Sequence, residues 1–173
     1  SEGLNYSCHR KAYEQGKGHG YGSILGGELE KYQGITVHHS LYAHHKSRMP
    51  RFSSENTPPA PPIYDFRNNV IYNWSLKSGY TSSDECTMIN YVNNYIKYGP
   101  STSQGRRYTA IDVGDEGTNI YLEGNYVYGQ GYSGWSMIDG NPTRFSTPIP
   151  VYSVITTDAQ TAYDKVLAES GAS

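Results

Sequence analysis

The sequence predicts an all-β fold, a solenoid of stacked strands finished by a short C-terminal helix. Three observations carry that prediction. Four segments share one pattern: "ITVHHSLYAHH" from Ile35, "IYDFRNNVIYNW" from Ile63, "CTMINYVNNYIKYG" from Cys86 and "TNIYLEGNYVYG" from Thr118. Each alternates apolar and polar residues up to a small polar residue, so that Ser40, Asn69, Asn94 and Asn125 fall at equivalent places, 29, 25 and 31 residues apart. Tyr, Val and Ile fill the runs, Asn, Gly, Ser and Pro separate them, and only the tail "TTDAQTAYDKVLAESGAS" has helical spacing.

Taken in order, the opening segment to residue 34 includes "HGYGSILGG". It is glycine-rich but has no Gly-Lys-Ser ending, so it is no phosphate loop. Each repeat then supplies one coil of a parallel β-helix, stacked on the next at about the 4.8 Å strand spacing. Equivalent asparagines would form a ladder, each amide satisfying its neighbours at a turn that bare backbone cannot close. A β-sandwich fits less well, because its turn signals recur every 8–12 residues or so. The stretch "SSENTPPAPP" (53–62) reads as an excursion between coils, since proline removes donors and fixes φ. Helix is predicted over 157–170, capped by Thr157 or Asp158, with an apolar stripe of Ala162, Val166 and Leu167, and stopped by Gly171. Such a helix is expected to cover an exposed β-edge.

At 173 residues the chain is expected to be a single domain, 1–173, with a real core. A net charge of −2 and a pI near 6.3 leave no nucleic-acid footprint. No run approaches the roughly 18 apolar residues of a membrane span. The 18 tyrosines argue against disorder. The chain opens at Ser1 without an initiator Met, as a processed or truncated product would, so the lack of a leader says little about export. Cys8 and Cys86 are either two small buried thiols or a disulfide, and neither has metal-ligand spacing.

Positive charge gathers in "HHKSRMPRF" (44–52), where Lys46, Arg48 and Arg51 surround Pro50. Such a cluster binds an anion or answers acids elsewhere in the fold, and arginine suits planar carboxylates. His45 is a candidate contact on the same loop. The six histidines all fall within the first 45 residues, but His38-His39 and His44-His45 are adjacent pairs pointing to opposite faces. No carboxylate accompanies them at ligand spacing, so structural or stacking roles are expected rather than a metal site. Arg67 follows Asp65 at i+2 on one strand face, either as a structural pair or as an anion contact. Asp84-Glu85 and "GDEGTN" (114–119) read as polar turns, the latter without the spacing of a calcium loop. Tyr126, Tyr128, Tyr132 and Trp135 either pack or stack on sugars.

"ITVHHSLYAHHKSRMPRF" resembles the HHNLYAHH…RxPR stretch of pectate lyases of polysaccharide lyase family one. "DFRNNVIYNW", "NYVNNYIKYGPST" and "AYDKVLAESGAS" are similar to the segments that follow it in the bacterial branch, and "SEGLNYSCHRK" to the coil before it. The resemblance implies a right-handed parallel β-helix that cleaves polygalacturonate by β-elimination, usually with calcium, in an extracellular or periplasmic setting. It makes Arg48 the catalytic base, Lys11 a substrate-contacting lysine and Arg51 its neighbour on the loop. Ser40 stands where the family commonly has asparagine, so the ladder is expected to lose a rung there. The family's calcium carboxylates lie mostly on coils upstream of Ser1, so the chain looks like the C-terminal part of a lyase domain with an N-terminal β-edge open to association. Two functions are implied: a lyase in which Lys11 and Arg51 neutralise the uronate carboxylate, or a non-catalytic β-helix that holds acidic polysaccharide in the same groove.

Overall fold

The computed structural model describes residues 20–26, 34–54, 61–83, 86–114 and 117–170. Strand β1 (Ile24–Leu25) precedes three repeating triplets. These are β2 (Gly34–His38), β3 (Leu41–Ala43) and β4 (Arg51–Phe52), then β5 (Ile63–Arg67), β6 (Val70–Tyr72) and β7 (Gly79–Thr81), then β8 (Thr87–Val92), β9 (Tyr95–Lys97) and β10 (Ile111–Asp112). After them come β11 (Thr118–Glu123), β12 (Tyr126–Val127), β13 (Gly131–Tyr132), β14 (Ile138–Asp139), β15 (Thr143–Phe145) and helix α1 (Ala159–Glu169). Equivalent strands of successive triplets lie side by side. The first sheet is β1-β4-β7-β10-β14, the second β15-β11-β8-β5-β2 and the third β13-β12-β9-β6-β3. Pairing among the described residues is parallel throughout, except that β12 and β13 form an antiparallel hairpin closing one end of the third sheet. The fold is a parallel β-helix.

Alternation along the long strands sends one face inward. Tyr64 and Phe66 of β5 and Ile89 and Tyr91 of β8 are fully buried, and Phe52, Ile71, Ile96, Ile111, Ile120 and Val127 complete the column from the other sheets. Phe66 stacks on Tyr91 with centroids 5.5 Å apart, while Phe52 meets Phe66 edge-on at 5.7 Å. Like residues thus stack on like from coil to coil, and in-register parallel pairing requires just that.

The corner between the second and third sheets holds the asparagine ladder. The Asn69 backbone N–H donates to Asn94 Oδ1 at 3.0 Å, and that of Asn94 to Asn125 Oδ1 at 2.8 Å. Each side-chain amide reaches a carbonyl of the preceding coil, Asn69 to Val37 and Asn94 to Phe66. All three asparagines are fully buried and fully used. Ser40 joins through its backbone alone, donating to Asn69 Oδ1 at 3.0 Å, so the missing rung is a side chain and not a link. The residue before each ladder position is left-handed: His39, Asn68, Asn93 and Gly124, with φ between 50° and 64°. At Gly124 a Cβ would collide with Asn93 Oδ1, so conformation and space both demand glycine.

The tail departs from expectation in two ways. Asp158 caps α1, accepting from the Gln160 and Thr161 backbone N–H groups at 3.0 Å. The buried stripe, however, is Ala159, Ala162 and Val166, with Leu167 46% exposed, and Tyr163 stacks on Tyr95 at 4.1 Å. The helix also does not seal an edge. It lies on the outside of β6 and β9, in the middle of the third sheet. Before reaching it, residues 146–158 run back across the outer face of the second sheet, held where Asn90 exchanges two hydrogen bonds with Ile149 and Asn68 two with Thr157. Gly171 and residues 55–60 of the proline-rich stretch lie outside the described residues, as does the N-terminal edge before Gly20.

Candidate active site

The loop 44–50 between β3 and β4 is built as an extra rung. Its backbone is bonded to the coil before, through Gly22 N–H to Ser47 O at 2.9 Å and Ser23 N–H to Arg48 O at 2.8 Å. It is bonded to the coil after through Met49 N–H to Ser78 O at 2.9 Å and Leu76 N–H to Lys46 O at 2.8 Å. Met49 is fully buried as the loop's anchor. Arg48 takes a left-handed backbone, φ 67°, and its carbonyl occupies the space that a Gly22 Cβ would need.

This backbone lays the Arg48 guanidinium over the Tyr21 ring, 4.5 Å from its centroid. Its Nε is buried and without a hydrogen-bond partner, and Arg48 has no ion-pair partner among the described residues. Beside it opens a cleft of about 520 Å³ lined by Tyr21, Arg48, Lys77, Tyr80 and Arg106. Asp112 holds the two far cations, with Lys77 Nζ at 2.7 Å and an Arg106 terminal nitrogen at 2.8 Å, and Asp139 reaches Arg106 at 3.2 Å. The buried Trp74 indole fixes the Arg106 backbone, donating to its carbonyl at 3.2 Å.

Arg51 lies on the outer face of the first sheet, since its neighbour Phe52 faces the core, and it pairs in register with Tyr80 of the cleft. His45 and Lys46 line a smaller hollow of about 170 Å³ that shares Ser75 with the cleft. Burial, with the His44 charge adding to it, lowers the His45 pKa below the usual imidazole value. His45 is therefore a neutral donor or acceptor at neutral pH.

Arg67 does not join this group. It projects from β5 on the second sheet, where its Nε bonds both Asp65 oxygens at 2.8 and 2.9 Å. Asp65 is almost wholly buried and needs that cation. The larger hollow of about 580 Å³ next to Asp65 holds no cation among its lining residues and carries no site chemistry. Lys11, Cys8, Asp84 and Glu85 lie outside the described residues. Lys77, Tyr80 and Arg106 are the cleft residues that sequence reasoning missed. For Lys77 a signal existed, because it stands 29 residues after Arg48, the same interval that separates Ser40 from Asn69.

Three comparisons bear on the chain. "Probable pectate lyase C" of Aspergillus terreus is 30% identical over 146 residues, 75% of this chain and 31% of that protein. The protein of that name in Aspergillus flavus is 35% identical over 103 residues, 58% of this chain and 22% of its own length. The chain is pectate lyase-like. A third likeness, to the Emericella nidulans protein of that name, runs at 29% over 153 residues, 80% of this chain and 32% of the relative. This pectate lyase-like chain spans about a third or less of the length of the curated relatives it matches. These relatives are fungal. No family model matches the chain.

Calcium, which the family resemblance implies, does not fit what the described residues offer. No group of three or more His, Cys, Asp or Glu is close enough among them to hold a metal ion. The two carboxylates nearest the cleft are spent on Lys77 and Arg106.

Proposed function

We propose that the protein cleaves polygalacturonate by β-elimination in the cleft beside Arg48. One observation carries this reading: an arginine without an ion-pair partner among the described residues, held by a rigid rung over an aromatic ring, faces a cleft whose other charged lining residues are cations. The likeness to proteins named as probable pectate lyases supplies the substrate class.

Elimination from a uronate removes the C5 proton, forms the C4–C5 double bond and expels the sugar joined through O4. The C5–H pair is first delocalised onto the C6 carboxylate and then becomes the new π bond as the C4–O4 pair leaves with the departing oxygen, which takes a proton from solvent. In this proposal Arg48 takes the C5 proton, a step that only an uncharged guanidine can perform. Negative charge then builds on the neighbouring C6 carboxylate, and cations there lower the barrier because they hold the intermediate more tightly than the ground state. Arg51 and Lys77 serve that carboxylate and the next one, Arg106 closes the far wall, and Lys11 keeps the contact that the resemblance implies. His45, being neutral, is suited to a sugar hydroxyl. No step is routed through calcium, whose ligands in this proposal lie outside the described residues. The setting proposed is extracellular or periplasmic, where such polymers lie.

The test is incubation with polygalacturonate, with and without added calcium, read at the absorbance of the unsaturated uronate. Wild type should produce that band, and Arg48→Lys, which keeps the charge, should lose it while still retaining polymer. The second reading, a non-catalytic binder, is favoured by the lack of a carboxylate cluster among the described residues. It is established if wild type holds polymer and never forms the double bond.

A further inference from the structure

Arg106 and Arg107 are consecutive, yet they face different ways. Arg106 lines the cleft, whereas Arg107 lies on the Tyr98 ring, 4.8 Å from its centroid, and takes no part in the cleft. Tyr98 also meets Tyr108 edge-on at 6.0 Å and Tyr128 at 5.5 Å. Lys97 sits over Tyr128 at 5.0 Å. The cluster draws on three parts of the chain: the end of β9, the loop 98–110 and the turn after β12. Gly129 in that turn has φ 87°, and a Cβ there would already touch both Tyr98 and Tyr108 at 3.6–3.7 Å. The backbone is shaped to bring these rings together.

We propose that this outer side of the 98–110 loop is a second binding surface for an acidic glycan, separate from the cleft. It rests on the reading of the protein as one that handles polygalacturonate. Two features distinguish it from ordinary packing. The core tyrosines Tyr64 and Tyr91 are fully buried, but Tyr108 is 37% and Tyr128 42% exposed. The other arginines seated on a carboxylate, Arg67 and Arg106, are spent, whereas Arg107 has no acid partner among the described residues and its Nε has no hydrogen-bond partner. An exposed ring offers the apolar C–H face of a sugar a stacking partner, and a planar guanidinium beside it offers a uronate carboxylate two parallel hydrogen bonds. With the cleft on one side of the loop and these rings on the other, a long polymer engages both sites. The second contact then forms at high effective concentration and slows release.

The experiment titrates the whole chain with tetragalacturonate and follows the arginine Nε–H and tyrosine ring signals by NMR. Saturable shifts at Arg107, Tyr108 and Tyr128 support the proposal, whatever happens at Arg48. Shifts at Arg48 and Lys77 without any at Arg107 overturn it and leave the cleft reading standing. No shift at either place overturns both. Shifts at the rings without any at Arg48 support the outer surface and overturn the cleft reading. As a second measurement, Arg107→Gln with Tyr108→Ala should weaken retention in a polygalacturonate gel about tenfold, the usual effect of losing a charged hydrogen bond. Retention equal to wild type sinks the proposal, and neither residue belongs to the buried core. A neutral galactan gel should hold neither protein. Equal retardation there would show stacking without charge selection and overturn the acidic-ligand assignment.

Discussion

Arg48 shows how much a single position asks of its neighbours. A left-handed backbone costs a non-glycine residue about 1 kcal/mol, and the loop around it supplies hydrogen bonds on both sides to hold it there. Gly22 leaves room for its carbonyl, so Gly22→Ala should destabilise by about 2 kcal/mol, read in urea unfolding, and lower any cleavage activity with it. Two histidines give the pH response. Burial lowers the His39 pKa, helped by His38 and Lys165 and opposed by Glu169, and burial lowers that of His45. The unfolded chain therefore takes up protons that the folded one refuses. Stability should be level above about pH 6.5 and fall as the pH drops through that value. His39→Asn with His45→Gln should flatten the slope in thermal melts at about pH 5 to 7. The asparagine matches Asn68 and Asn93 in the left-handed column. At this scale the sequence revealed Arg48 and Arg51 through their clustering. Lys77 was within reach of the repeat interval, but Arg106 was not, because the loop 98–110 is longer than its counterparts and breaks the count. For Arg67 the i+2 spacing from Asp65 offered the structural pair that the strand makes, and charge alone does not say which sheet a residue is on.

Among elements, the ladder was the most legible, since equivalent asparagines at a corner have a physical reason to recur. Its energy sits in burial. Asn94→Leu would strand the Asn69 N–H and the Phe66 carbonyl inside the coil stack and should cost about 4 kcal/mol in denaturant unfolding. Ser40→Asn completes the missing side-chain rung and should gain about 1 kcal/mol. A loss there would show that the corner at Ser40 cannot accommodate the longer amide. The helix was legible in its cap and its length but not in its seat. Leu167 looked apolar and is exposed, while Tyr163, which periodicity does not count as apolar, makes the contact with Tyr95. A helix docks where a matching surface exists, and the tyrosine column on the third sheet provides one far from any edge.

The whole molecule is a stack of coils with its tail tied back along the outside. The strap at 146–158 depends on two buried asparagines that mimic strand pairing with their side chains. Asn90→Ala should raise hydrogen exchange across the strap and leave the protection of the Arg48 loop unchanged, which would show that strap and cleft open independently. The strap was not legible, because residues 146–158 lack the strand alternation that marked the coils. Its partners are set by the finished surface of the second sheet.

The corners and the loops also differ in how they can change over time. Every turn passes from second to third sheet through two residues, 39–40, 68–69, 93–94 and 124–125, whereas the passages 44–50, 73–78 and 98–110 vary in length. One residue inserted at 93–94 would reverse the inward and outward faces of the next strand. A longer segment spliced into 98–110 disturbs only the surroundings outside the barrel of side chains. That passage lies on the flank that carries Arg48, Lys77, Arg106 and Arg107, so the surroundings of the cleft can change while the stack of coils keeps its faces.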